Sequence, residues 1–176
     1  MAGRAAFTLS AEDFVAMQRA VYLRQLRTRR FVVRLVLAAA AVWLAGAGVF
    51  HLLGEPQAEA FRLGLFILLG GAVGVTILIG GTYLLIPRRA RRLFAQQRML
   101  HYPMEVAWDA QGIGWRTPHG ETRIPWSDYL AWQRTPTLFL LYASDLLLYT
   151  VPVRALDEAG AADIAAAAAA GGLPRR

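Results

Sequence analysis

Two long apolar runs dominate the pattern of the chain, one over residues 31–53 and one over 63–86. From Leu35 to Leu53, and throughout the second run, there is no Asp, Glu, Lys or Arg. A helix rises about 1.5 Å per residue and a bilayer core is about 30 Å thick, so roughly 20 apolar residues suffice to cross it. Both runs reach that length. The link between them is polar and holds the helix breakers Gly54 and Pro56. So short a connection makes the two runs antiparallel neighbours. The pattern predicts a membrane α-helical hairpin: a first transmembrane helix at 31–53, a short external loop at 54–62 and a second transmembrane helix at 63–86.

On either side the pattern changes. Residues 1–9 show no helical period. Ser10 and Asp13 then occupy the two positions of a capping box. No Gly or Pro occurs between Ala11 and Ala45, so one helix is expected to run from an N-terminal segment (1–30) into the first span. Phe14, Met17 and Val21 share a face of it, but the arginines do not segregate onto the opposite face. Such a helix is either a solvated lead-in or a surface for anionic headgroups or the C-terminal domain. Pro87 is expected to end the second span, with a basic juxtamembrane linker at 87–102.

Beyond Pro103 the period drops to two. Strands are expected at 104–109, 113–117, 121–125, 129–134, 138–142 and 146–151, separated by turn residues such as Gly112, Pro118, Gly120, Pro136 and Asp145. Alternation turns Val106, Trp108, Ile113, Trp115, Ile124 and Leu140 inward. It leaves Glu105, Arg116, Glu121 and Arg123 to water. From Arg154 to Ala170 the texture becomes helical, with Leu156 and Ile164 as the main buried side chains, and Gly171 and Gly172 end it. Residues 103–170 therefore read as a small α+β domain, an antiparallel sheet closed by a C-terminal helix, with a frayed tail at 171–176.

Charge sharpens this picture. The net charge is +7, and every basic residue is arginine. Residues 1–34 and 87–98 carry +5 each, the loop at 54–62 carries −1, and residues 99–176 carry −2. The excess thus flanks one end of the hairpin, which matches the positive-inside rule and places both termini in the cytoplasm. It argues against a nucleic-acid partner, because the folded part is acidic. The acids and the Arg-rich helix ahead of the first run also separate it from a cleavable signal peptide.

The chemistry sought is largely missing from the sequence. There is no cysteine, and His51, His101 and His119 are scattered without partner acids at ligand spacing. No nucleophile elbow, phosphate loop or zincin motif occurs. The expectation is a protein that is not an enzyme and uses no cofactor or metal. Arg88, Arg89, Arg91 and Arg92 are candidate contacts for lipid headgroups. Gly70 and Gly74 form a small-xxx-small pair, as do Ala41 and Ala45. These four are candidate helix-packing positions, serving either the hairpin itself, which is favoured, or a homo-oligomer. Trp126, Asp128 and Trp132 are candidates for a partner-binding face, against the alternative that the tryptophans fill a small core. The partners envisaged are the lipid bilayer and a cytoplasmic protein or a second copy. Arg34 and His51, near the ends of the first run, have the reading of interfacial residues.

The layout resembles the bacterial YcxB-like family of membrane proteins. The resemblance rests on residues 7–14 (FTLSAEDF), the hairpin, Tyr102-Pro103, Gly112-Ile113, residues 124–129 (IPWSDY), residues 138–142 (LFLLY) and residues 151–156 (VPVRAL). It implies a pleckstrin-homology-like cytoplasmic domain at the inner membrane and supplies no catalytic residues.

Overall fold

The computed structural model describes residues 3–54, 56–145 and 147–175. Glu55 of the acidic loop, Leu146 at the start of the last expected strand and the terminal Arg176 lie outside these. The chain divides into two compact units, residues 21–86 and residues 1–20 with 87–176.

Among the described residues, the second of these is built on seven antiparallel strands. Strands β1 (Gly3–Phe7), β2 (Met104–Trp108), β3 (Gly112–Thr117) and β4 (Gly120–Pro125) form one sheet in that order. Strands β5 (Ala131–Arg134), β6 (Leu138–Tyr142) and β7 (Leu148–Pro152) form the other. Within both sheets these strands pair antiparallel, with Phe7 opposite Met104 and Gly3 opposite Trp108. Strands β2 and β3 follow the alternation most closely. Val106, Trp108, Ile113 and Trp115 are buried, and Glu105, Arg116, Glu121 and Arg123 are exposed. Strand β1 is a departure: the segment read as a lead supplies, through Gly3–Phe7, an edge of the first sheet. Phe7 is buried in its core, and Gly3 lies so close to Trp108 that an added Cβ would collide with the indole.

Strand β6 is buried along its whole length. Phe139 and Leu141 join the main core with Trp115, Trp126 and Val151. Leu138, Leu140 and Tyr142 face the other way and pack with Ala16, Met17 and Ala20 of helix α1 (Ala11–Leu26). A strand covered on both faces reads as an unbroken apolar run, as Leu138-Phe-Leu-Leu-Tyr142 does. Helix α1 starts on the expected capping box: the Ser10 backbone N–H donates to Asp13 Oδ2 at 2.9 Å, and the Asp13 N–H donates to Ser10 Oγ at 3.1 Å. The closing helix α4 (Glu158–Ala170) is capped by Asp157, whose Oδ1 accepts from the Gly160 N–H at 2.6 Å. It turns Ala161, Ile164 and Ala168 inward; Leu156 precedes it and is only half-buried.

The other unit holds helix α2 (Arg29–Leu52) and most of helix α3 (Gln57–Gln96). Both are long and apolar enough to cross a membrane. The expected continuous helix from residue 11 is interrupted: α1 ends at Leu26, and Thr28 takes extended geometry and caps α2 by accepting from the Phe31 N–H. Pro87, expected to end the second span, lies inside α3 instead. Proline removes one ladder hydrogen bond and crowds the preceding turn, yet the helix continues to Gln96, about two and a half turns beyond it.

Candidate functional site

The four arginines beyond Pro87 sit on the last turns of α3, and all are exposed. Their neighbour Ala90 is buried. Arg91 Nε and Nη2 reach Glu12 Oε1 at 3.1 and 3.0 Å. This exposed pair contributes little stability. Among the described residues Arg88, Arg89 and Arg92 form no ion pair, so three guanidinium groups are available to an anion. The helix end is fixed by aromatic contacts: Phe14 lies 6.0 Å from Phe94, and Phe94 stacks on His101 at 4.6 Å. His101 Nε2 donates to the Phe94 carbonyl at 3.0 Å.

The start of α1 is held by a second arginine. Arg154 Nη2 donates to Asp13 Oδ2 at 2.6 Å and to the Thr8 carbonyl at 2.8 Å. Burial alone would raise the Asp13 carboxyl. The hydrogen bonds from Arg154 and from the Ser10 backbone and hydroxyl outweigh it and hold the group below the usual carboxylate range.

The expected partner face does not survive as a unit. Trp126 and Trp132 are 2% and 6% exposed, and both belong to the core. Trp126 Nε1 donates to the Asp109 carbonyl at 2.9 Å. Trp132 stacks on Phe139 at 5.2 Å. The cause is size: a domain this small fills its interior with a few bulky rings. Asp128 remains exposed, on the short turn between Trp126 and Tyr129. Beside it, Tyr129 accepts from Trp115 Nε1 at 3.2 Å, and burial pushes its phenol pKa well up.

The outer face of the first sheet carries a shallow groove of about 360 Å³. Its floor is Ala107 and Gly114, with Arg4 and Arg123 at the two ends of the same cross-strand row. The charges there largely satisfy one another. Arg116 pairs with Glu121 at 2.9 Å and Glu105 at 3.6 Å, and Arg123 pairs with Asp109. The hydrogen bond from Arg123, with that of the Gln111 N–H, holds the Asp109 carboxyl below its ordinary value.

In the hairpin, Gly70 and Gly74 are not where α2 and α3 approach. An added Cβ at either would meet nothing within 4 Å, and Ala41 and Ala45 are exposed. The close approach lies nearer the connecting loop. An added Cβ on Gly64 would stand 3.3 Å from Ala47 and from the Trp43 carbonyl, and one on Gly46 would stand 3.0 Å from Ile67. Trp43 meets Phe61 edge-on at 5.3 Å. The favoured packing role of the four small residues is therefore corrected: spacing identified a small-residue face, but not the face that meets the partner helix.

Gly171 and Gly172 end α4 as expected, but the tail read as frayed is packed over residues 173–175. Gly172 has φ +81° and closes α4 with a Schellman motif: the Leu173 N–H donates to the Ala168 carbonyl and the Gly172 N–H to that of Ala169. Leu173 is buried, and Arg175 bridges to Trp132 of β5. The signal was the Gly-Gly-Leu sequence, an αL cap followed by an apolar residue.

These features define a seven-stranded antiparallel domain with a closing helix, together with two helices of membrane-crossing length. Residues 108–168 match the family model described as YcxB-like protein, so the chain carries a YcxB-like domain over that range. The match begins at the end of β2 and leaves β1 out. No curated protein and no solved structure matches the chain.

Proposed function

We propose that this protein is a membrane-tethered interaction module, not an enzyme. In this reading α2 and the apolar part of α3 span the bacterial inner membrane, both termini are cytoplasmic, and the seven-stranded domain is pleckstrin-homology-like and binds a protein or peptide at the inner face. The observation that carries it is the pairing of β1 with β2. These strands flank the hairpin in sequence and hydrogen-bond to each other, which supports an even number of crossings with both ends on one side. The charge distribution independently supports the cytoplasm as that side. The four-plus-three strand arrangement with a C-terminal helix supports the pleckstrin-homology-like assignment. A reporter active only in the cytoplasm should work when fused after Arg176 and fail when inserted at Gln57. The reverse pattern would overturn the orientation.

A second reading, sensing of anionic lipid, is favoured by Arg88, Arg89 and Arg92 alone. Near an anionic surface each is worth on the order of 1 kcal/mol. Lipids co-purified with the intact protein should lose their anionic enrichment when all three become Gln. Unchanged lipid composition would leave the interaction module as the sole reading.

A further inference from the structure

The edge of β5 is covered by the chain's own tail. After the Gly171-Gly172 turn, the Pro174 carbonyl accepts from the Trp132 backbone N–H at 3.1 Å, and Arg175 forms a parallel bridge with Trp132. Three features of this contact bear on what the edge can hold. Leu173 enters the core beside Trp132, Trp126 and Ala168. The Arg175 guanidinium lies 5.4 Å from the centre of the Trp132 ring. The Trp132 indole N–H is buried and has no hydrogen-bond partner among the described residues, so the site holds a donor that the tail leaves unused.

The tail is also lightly held. Pro174 and Arg175 are exposed, and Leu173 is the one buried anchor of the three. Strand addition at a free edge recruits main-chain hydrogen bonds for affinity and side-chain pockets for selectivity. Both elements are present here.

We propose that the β5 edge is a strand-accepting site closed in cis by residues 173–175, and that it takes in trans an extended segment of apolar–x–arginine chemistry from a partner protein. The proposal rests on the interaction-module reading and names where the partner docks and what regulates access. The apolar residue replaces Leu173, the guanidinium stacks on Trp132, and the tail is the competitor to be displaced. A tethered competitor acts at an effective concentration in the millimolar range, so a free segment binds well only when the tail is released.

The test uses the full-length protein in detergent and a fluorescein-labelled peptide of the sequence Gly-Gly-Leu-Pro-Arg-Arg. Leu173→Asp releases the tail by placing a carboxylate in the apolar site. Leu173→Ser with Arg175→Glu is a second release variant, and whichever retains the wild-type near-ultraviolet circular dichroism is read. Fluorescence anisotropy should show the peptide binding the release variant at least about tenfold tighter than the wild type. A peptide with aspartate in place of its leucine should not bind. Equal binding to wild type and folded variant, or equal binding of the two peptides, overturns the proposal. Neither result bears on membrane orientation, which the reporter fusions test separately.

Discussion

At the scale of single residues, Asp13 shows how a buried charge is made tolerable. It closes the capping box with Ser10 and takes a charged hydrogen bond from Arg154. Asp13→Asn should cost about 1–2 kcal/mol at neutral pH, because a hydrogen bond to a charged group is lost. The native carboxyl ionises more readily than the unfolded one, so its contribution is complete above about pH 4 and fades as pH falls through the lower native value. The gap in melting temperature between wild type and variant should therefore be constant near neutrality and close in acid. The tryptophans give a contrasting case. Trp132→Ala should destabilise by about 3–5 kcal/mol, as a core truncation does, whereas Asp128→Ala should stay within about 0.5 kcal/mol. Denaturant melts of the two would separate core from surface. The sequence presented Trp126, Asp128 and Trp132 as one cluster because it shows spacing, and their separation arises only when the Trp126–Asp128 turn folds.

At the scale of elements, legibility followed how local each signal was. The strands from β2 to β7 were readable because alternation, the unbroken apolar run of β6 and the turn residues are all local signals. Helix α4 and the α1 cap were readable for the same reason. Strand β1 was not: Gly3-Arg-Ala-Ala-Phe7 has no β-branched residue, and its partner lies on the far side of the hairpin in sequence. The break at Thr28 has neither Gly nor Pro to announce it, and Pro87 announces a break that does not occur. The hairpin yields a clear test. Gly64→Leu should destabilise it by about 1–3 kcal/mol through overpacking against Ala47 and Trp43. Gly70→Leu with Gly74→Leu should leave its thermal unfolding unchanged, since nothing stands within 4 Å of either added Cβ. Equal losses for both would contradict the packing described.

At the scale of the whole molecule, the domain is discontinuous in sequence. A fragment that starts at Pro103 lacks β1 and α1, so it should expose the Val106 and Trp108 side of the core and the Leu138, Leu140 and Tyr142 face of β6, and bind a hydrophobic dye. Adding a peptide of residues 1–26 should suppress that binding, and failure to do so would show that this N-terminal segment is dispensable. The family match, residues 108–168, lies wholly within the part of the domain that is contiguous in sequence.

The β1–β2 pairing also bears on the order in which the molecule is made. Residues 3–7 emerge from the ribosome before either apolar helix, and residues 104–108 emerge after both. At common rates of synthesis the first strand waits on the order of 5–20 s for its partner. If the hairpin enters the bilayer as proposed, a chain that inserts only one of its two helices leaves the strands on opposite sides of the membrane, where they cannot meet. The sheet then lacks an edge and Phe7 lacks its core, and such a chain exposes the apolar surface that cellular proteases and chaperones recognise. Closure of β1 onto β2 would thus report that both helices have been inserted, making domain folding a built-in check on membrane insertion.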